Sequence, residues 1–282
     1  MHYYAYEMAH AFVSPMRFGM QSLRHSLEWP FNPMSHTTFG RNVAAACEVF
    51  ENITRRYGKP EFGIKTTTIS GHTVPVRQEI VHIKPFCHLV HFARDESVVG
   101  QRNDPKVLLI APMSGHYATL LRGTVEAMLP EHDVYITDWM DARDIPLAMG
   151  RFDFDDFVDY IIDFVQVLGQ GTNIIAVCQP AVPTLVATAL MASRNLETQP
   201  ASLVLMGGPI DTRRNPTKVN ELAANKSIDW FERNVISVVP FPHAGTMRPV
   251  YPGFMQLAAD NNMHLERHMN AHVDLFNNLV TG

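Results

Sequence analysis

The amino-terminal part of the chain has the spacing of apolar residues that is typical of helices. Apolar side chains recur there every three or four positions, at Phe12, Met16, Met20, Leu23 and Leu27. Pro30 and Pro33 end this pattern, and the spacing predicts a second helix over residues 42–56. Residues 1–60 are therefore predicted to form a helical arm that packs on a larger domain.

Residues 63–93 have a different pattern, in which Thr, Val and Ile alternate with polar residues. Alternation with a period of two is typical of strands that bury one face. The sequence Ser70-Gly71-His72 interrupts the stretch with residues that favour a turn. This part of the chain is predicted to form an antiparallel hairpin or meander.

From residue 106 onward, short apolar runs alternate with helical patterns. Strands are predicted at 107–111, 134–137, 173–177 and 202–206, with helices at 118–129, 154–168 and 182–193. Continuous apolar strands separated by helices indicate a mostly parallel sheet with helices on both faces. We therefore predict an α/β domain over residues 61–211.

The alternation stops after Gly207-Gly208-Pro209. The remaining chain is predicted to be mainly helical, with prolines at positions 216, 240, 242, 249 and 252. We interpret residues 212–282 as a helical cap or lid. The last strands of the sheet are expected to be missing from this chain.

Composition excludes several classes of protein. Hydrophobic residues make up 46% of the chain and charged residues 18%, with a net charge of −5. These values fit a globular protein and give no basic surface for nucleic acid. The first 19 residues lack the apolar core of a secretory signal, and no apolar run is long enough to span a membrane. A cytoplasmic location is expected, and a homo-oligomer is left open.

Three cysteines, Cys47, Cys87 and Cys178, form neither a disulfide framework nor a metal-type spacing. Cys47 and Cys87 fall in a helical and a strand pattern, and both are interpreted as core residues. Cys178 differs, because an apolar strand at 174–177 leads through it directly into a helix.

The surroundings of Cys178 are typical of a nucleophile elbow. That motif is usually Gly-x-Ser-x-Gly, since a strained turn that raises the nucleophile above the sheet needs small neighbours. Ala176 and Pro180 stand at the two glycine positions. Ala176 is small, and Pro180 can begin a helix. Cys178 is predicted to be the catalytic nucleophile, and a buried structural cysteine is the alternative.

Acyl transfer to a nucleophile needs two backbone N–H donors for the oxyanion. The residue after the nucleophile, Gln179, is predicted to supply one. The second is predicted to come from Met113, with Ser114 as an alternative, in the turn after the strand at 107–111. His116 is interpreted as a residue that lines the pocket or caps the next helix, not as the base.

Three segments resemble the intracellular poly(3-hydroxybutyrate) depolymerases: APMSGHYATLLRG at 111–123, VYITDWMDARD at 134–144 and VCQPAVP at 177–183. The resemblance implies an α/β-hydrolase that uses a cysteine nucleophile on amorphous polyester granules in the cytoplasm. It implies granule surfaces and oligomers as partners, and no cofactor. A weaker similarity to polyhydroxyalkanoate synthases rests on the cysteine, on Asp138-Trp139 and on residues 152–156.

The chain departs from this family's pattern at its carboxyl end. The family's acid and histidine follow the nucleophile on loops after later strands, so both are expected beyond Gly282. His264, His268 and His272 are interpreted as a histidine stripe and not as a metal site, and His243 as a loop residue. Two alternatives stay open: a hydroxyacyl transferase of the synthase type and a granule-binding protein without catalysis.

Overall fold

The structure is a computed structural model that describes the backbone of residues 2–263 and 265–281 and the side chains of residues 3–258 and 270–281. The chain divides into two compact units, one of residues 1–58 with 254–282 and one of residues 59–253. The predicted arm ends close to the first division, and the predicted cap, 212–282, is shared between the two units. Within the described ranges, no helix has the length and apolar character needed to cross a bilayer.

The helices are bounded as follows: α1 His2–Glu28, α2 Thr38–Thr54, α3 Glu96–Val99, α4 Arg122–Met128, α5 Phe154–Leu168, α6 Ala181–Ser193, α7 Lys218–Asn225, α8 Ile228–Asn234, α9 Gly253–Met263 and α10 Leu265–Thr281. The strands are β1 Thr66–Ile69, β2 His72–Lys84, β3 Cys87–Arg94, β4 Lys106–Ile110, β5 Asp133–Trp139, β6 Asn173–Val177, β7 Ser202–Met206, β8 Ser237–Val238 and β9 Pro249–Val250. Short 3-10 turns lie at Pro33–His36, Ala118–Leu121, Ala142–Asp144 and Leu147–Met149.

Helix α2 begins four residues earlier than its apolar pattern predicts. The hydroxyl of Thr37 accepts the Gly40 N–H at 3.0 Å, which satisfies one of the free donors in the first turn. This cap fixes Thr38 as the first helical residue. Helices α1 and α2 then pack on each other, joined at one point by an ion pair of 3.1 Å between Arg24 and Glu48.

Seven strands form one sheet in the order β1-β2-β3-β5-β4-β6-β7 within the described chain. The first three strands and β5 pair antiparallel, whereas β5, β4, β6 and β7 run parallel. The predicted turn is present at Ser70 and Gly71, which have φ values of 50° and 82° and join β1 to β2. The predicted α/β fold, with parallel strands connected through helices, is confirmed.

The parallel strands place helices on the two faces of the sheet. The connection from β4 to β5 moves to one side of β4, and those from β5 to β6 and from β6 to β7 move to the other side. Because such crossovers are right-handed, α4 lies on one face and α5 and α6 on the other. The carboxyl ends of β4 and β6 flank the point at which the strand order reverses, where open α/β sheets form ligand crevices.

The core of the sheet is built from the residues of β4 and from the inner face of α5. Leu108, Leu109 and Ile110 are completely buried, as are Ile161 and Phe164. An Asp153–Asp156 capping box begins α5, which ends at Gly169 with a φ of 82°. These two signals explain why the predicted bounds of α5 agree with the structure.

Strand β7 differs from the expectation of strands buried on both faces. Its side chains alternate between exposed and half-buried, and Val204 and Met206 are exposed. The reason is its position, since β7 is the edge strand of the sheet in the described chain. The continuous apolar run of β7 therefore does not indicate a strand that is buried on both faces.

The segment after β7 contains, besides its helices, a pair of short strands that its pattern does not predict, since β8 and β9 pair antiparallel in it. The buried Arg248 holds this segment by donating hydrogen bonds to three backbone carbonyls, those of Gly150 at 2.6 Å, Pro146 at 2.9 Å and Ile145 at 3.1 Å. Its guanidinium also lies over the ring of Phe86, 5.0 Å from the centroid. One arginine side chain thereby supplies hydrogen-bond donors to three carbonyls of the 145–150 loop.

Candidate active site

Cys178 occupies a sharp turn between strand and helix. It follows β6 directly, and α6 begins three residues later at Ala181. Its φ is 66°, in the left-handed region that residues with a Cβ seldom adopt. The Cys178 side chain is exposed, at the carboxyl edge of the sheet. The strand-to-helix turn predicted at this residue is present.

The turn is held from the side of β7. The Cys178 N–H donates to the carbonyl of Met206 at 2.7 Å, which extends the β6–β7 pairing by one residue. Gly208 then passes so close to the elbow that a Cβ on it would lie 2.1 Å from Ala181 Cβ and 3.0 Å from the Cys178 oxygen. Sequence reasoning identified Gly208 only as part of the segment where the strand–helix alternation stops, and it missed this close approach.

Pro180, which stands at the second glycine position of the motif, directly precedes α6. Pro180 has a φ of −62°, a value that its ring imposes and that a helix requires. The N–H of Thr184 donates to the Pro180 carbonyl at 3.0 Å. The amino end of α6, the positive end of the helix dipole, thus follows Cys178 closely.

The loop after β4 lies beside this elbow because β4 and β6 are neighbours, with Ile110 opposite Ala176. Both backbone polar groups of the first loop residue, Ala111, form hydrogen bonds. The Ala111 N–H donates to Thr137 Oγ1 at 2.9 Å, and the indole N–H of Trp139 donates to the Ala111 oxygen at 2.8 Å. Strand β5 therefore anchors the point from which the loop departs.

The two residues predicted to form the oxyanion site are in contact. The Met113 N–H donates to Oε1 of the Gln179 side chain, with a separation of 3.1 Å between nitrogen and oxygen. Within the described chain the Gln179 N–H has no protein acceptor. Their proposed joint role toward a substrate oxygen stays a prediction, as does the nucleophilic role of Cys178.

No base for the Cys178 thiol is assigned among the described residues. Within the described ranges, the Cys178 sulfur has no hydrogen-bond partner. The His243 N–H donates to the Pro240 carbonyl in a loop, at 3.3 Å. His264 lies outside the described residues, as does the side chain of His268. The acid and histidine of a triad are not assigned to any described residue.

Cys47 and Cys87 lie in very different surroundings from Cys178. Both are buried, and burial raises the pKa of each thiol, well above its ordinary value for Cys87. The charge of Asp138 adds to the effect on the pKa of Cys87. Asp138 is itself buried and paired with Lys59. Neither thiol is poised to ionise, which agrees with their interpretation as core residues.

A comparison with protein families bears on the carboxyl-terminal part of the chain. Residues 207–282 match the family model described as the PHB de-polymerase C-terminus. The resemblance to the poly(3-hydroxybutyrate) depolymerase family is confirmed. The matched segment contains Gly208 and Arg248, both of which pack closely against neighbouring parts of the unit that carries Cys178.

Solved structures similar to this chain include an α/β-hydrolase enzyme from the metagenome of Lake Arreo, Spain, at 14% identity and a TM-score of 0.36, covering 62% of this chain and 52% of that one. An esterase from Rhizomucor miehei has 10% identity and a TM-score of 0.38, covering 71% and 61%. The chain thus spans between about half and three fifths of the length of these proteins. No curated protein matches the chain.

Proposed function

We propose that this chain carries the nucleophile of a carboxylic ester hydrolase that acts on poly(3-hydroxybutyrate), with Cys178 as that nucleophile. The observation that carries the proposal is the strained turn at Cys178, which presents an exposed thiol at the carboxyl edge of the sheet. A backbone strained in this way is retained where the surrounding structure imposes it, and such positions cluster at active sites. The family match supports the polyester as the substrate class.

The proposed reaction proceeds in two halves. In the first, a base takes the thiol proton and the sulfur adds to the ester carbonyl carbon, so that the carbonyl oxygen becomes an oxyanion. The N–H groups of Met113 and Gln179 donate to this oxygen. Collapse breaks the ester C–O bond, and the hydroxyl end of the polymer leaves with a proton while a thioester to Cys178 remains.

In the second half, water adds to the thioester carbonyl at the same oxyanion site. The carbon–sulfur bond then breaks, the thiol recovers its proton, and a 3-hydroxy acid is released. No redox step or cofactor enters this sequence. The base belongs to the expected acid and histidine pair, to which no residue of this chain is assigned.

The substrate form that we propose is the surface of amorphous polymer granules together with soluble oligomers. An exposed nucleophile at a sheet edge is suited to a polymer chain that is bound from outside, since such a substrate is too long to be enclosed. Cleavage of short hydroxybutyrate oligomers at the same proposed site gives a second assay.

The test is release of 3-hydroxybutyrate from amorphous polymer by an enzyme that contains this chain together with the triad acid and histidine, and by its Cys178→Ala variant; this chain without them is expected to show little turnover. Removal of the nucleophile is expected to lower the rate by about 10³-fold or more, with the fold unchanged. Cys47→Ala removes a thiol from the other compact unit and serves as the control, with activity retained. Mass spectrometry of the acid-quenched reaction should find a hydroxybutyryl group on the Cys178 peptide. Full activity in Cys178→Ala would remove the proposal.

A further inference from the structure

The acceptor at the Met113 N–H is a side-chain carbonyl from the elbow itself. Gln179 Oε1 lies 3.1 Å from Met113 N, within the ordinary range for an amide donor and a carbonyl acceptor. A substrate ester presents the same kind of oxygen, neutral and trigonal. The Gln179 side chain therefore occupies the position that the proposed reaction needs for its substrate.

We propose that the Gln179 side chain is a built-in competitor for the oxyanion site, which holds the Met113 N–H until the substrate carbonyl displaces it. The inference rests on the proposed function, because it gives a substrate-dependent role to a residue of that site. Gln179 then has two roles. Its backbone N–H donates to the oxyanion, and its side chain occupies the second donor, the Met113 N–H, until substrate binds.

Displacement of this side chain costs little free energy. Gln179 is exposed, so the released amide exchanges its bond to Met113 for bonds to water. An incoming ester oxygen replaces one neutral acceptor with another and gains little. The developing oxyanion is a charged acceptor and forms stronger hydrogen bonds than the amide did. The competing side chain thereby weakens binding of the substrate in its ground state. The transition state is still bound more tightly than the ground state, because its oxygen is charged.

The same contact has a structural alternative, in which Gln179 positions the loop and its loss disorders Met113. The two roles differ in sign. For a competitor, Gln179→Ala and Gln179→Leu are both expected to lower KM by about two- to tenfold, since the donor is freed for substrate. For a positioning residue, both substitutions would lower kcat and leave KM unchanged or higher.

A charged variant gives a second readout. In Gln179→Glu the carboxylate keeps the shape of the side chain but binds the Met113 N–H more strongly and repels an oxyanion. Its kcat/KM relative to wild type is expected to fall by about ten- to a hundredfold at pH 7. The ratio should recover as pH falls through the ordinary carboxyl pKa of about 4.3. Gln170→Glu, an exposed position in the turn before β6, adds the same charge at the opposite edge of the sheet as control.

Hydrogen exchange at the Met113 amide separates this inference from the proposed function. Exchange should be faster in Gln179→Ala than in wild type, whether or not the protein hydrolyses esters. Cys178-dependent hydrolysis with a lowered KM in Gln179→Ala and Gln179→Leu is the expected result. Cys178-dependent hydrolysis with KM unchanged and kcat reduced in these variants would refute the competitor role and leave the proposed function standing. Hydrolysis that does not depend on Cys178 would overturn the proposed function and this inference with it.

Discussion

Gly208 passes the first turn of α6 so closely that a Cβ on it would lie 2.1 Å from the Cβ of Ala181. The same atom would lie 3.0 Å from the carbonyl oxygen of Cys178. Neither neighbour has a flexible end that could move aside. The chain after β7 therefore fixes the elbow from outside, and the absence of a side chain at Gly208 is a requirement of the site.

We expect Gly208→Ala to destabilise the fold by about 1–3 kcal/mol, the usual range for an overpacked position. Hydrolysis should fall as well, because the shift moves Cys178 relative to Met113. Denaturant unfolding and the rate of ester cleavage measure the two effects. Gly123→Ala is the matched control, since a Cβ there meets nothing within 4 Å inside α4 and should be neutral or stabilising. Equal stability of the two variants would refute the close approach.

The left-handed backbone at Cys178 predicts an inverted order of stability for two substitutions. Glycine adopts a φ of 66° without cost, whereas alanine retains the steric penalty. Cys178→Gly is therefore expected to be about 1 kcal/mol more stable than Cys178→Ala, although both lack the nucleophile. The comparison needs only thermal or denaturant unfolding.

Position 47 supplies the control for this pair, because Cys47 lies in the interior of α2. There the order should be the ordinary one, with Cys47→Gly about 1 kcal/mol less stable than Cys47→Ala. Finding the same order at both positions would contradict the left-handed conformation at Cys178.

The three thiols should differ in their reaction with iodoacetamide. Cys178 is exposed, whereas Cys47 and Cys87 are buried and their thiol pKa values are raised by that burial. Since the thiolate is the reacting species, Cys178 is expected to be alkylated first under native conditions. Peptide mass mapping before and after unfolding identifies the modified residues. Modification of Cys87 in the native protein would show that its strand is not buried as described.

Asp133 is expected to make the fold sensitive to acid. Its carboxylate accepts hydrogen bonds from the Tyr135 hydroxyl at 2.9 Å and lies 2.6 Å from His91 Nε2. Burial by itself raises the pKa of Asp133, but the hydrogen bond and charge of His91, with Tyr135 and Arg94, outweigh it and lower the pKa. A carboxyl with a lowered folded pKa contributes stability above its unfolded pKa and loses it as pH falls through the folded value.

Asp133→Asn should accordingly lower the free energy of unfolding at pH 7 by about 1–3 kcal/mol. The difference from wild type should shrink below about pH 4, where the unfolded carboxyl takes up its proton. Denaturant unfolding between pH 3 and pH 7, a range set about the ordinary Asp pKa of ~3.9, tests this. Asp159→Asn, on the exposed face of α5, is the control and should change stability little at either end.

Sequence predicted the fold best where local signals coincide with tertiary packing. Strands β6 and β7 and helix α5 have the predicted bounds, and the turn at Ser70 and Gly71 is present. In each case an apolar run ends at a cap or a turn residue, so that the local pattern itself marks the boundary. The elbow at Cys178 was found for the same reason, since strand and helix patterns meet at one polar residue.

Features that depend on distant parts of the chain were not predictable. The two-residue strand β8 has too few residues for a periodic pattern, and it is defined only by its pairing with β9, which begins at Pro249. The contact between the Gln179 side chain and Met113 joins residues 66 positions apart. Gly208 was visible as a glycine, but its reason lies in Ala181, which only the folded chain brings beside it.

Arg248 also has a consequence for the order in which this chain folds. The carbonyls that it binds, at Ile145, Pro146 and Gly150, precede it by 98 to 103 residues. Until residue 248 has been synthesised and has closed this long loop, those carbonyls lack the guanidinium donor, although the Met149 N–H binds that of Pro146 at 3.0 Å. Loop closure over such a distance is slow. A ribosome-bound chain that ends after β7 should therefore have a formed parallel sheet while its 145–150 loop remains open to proteases.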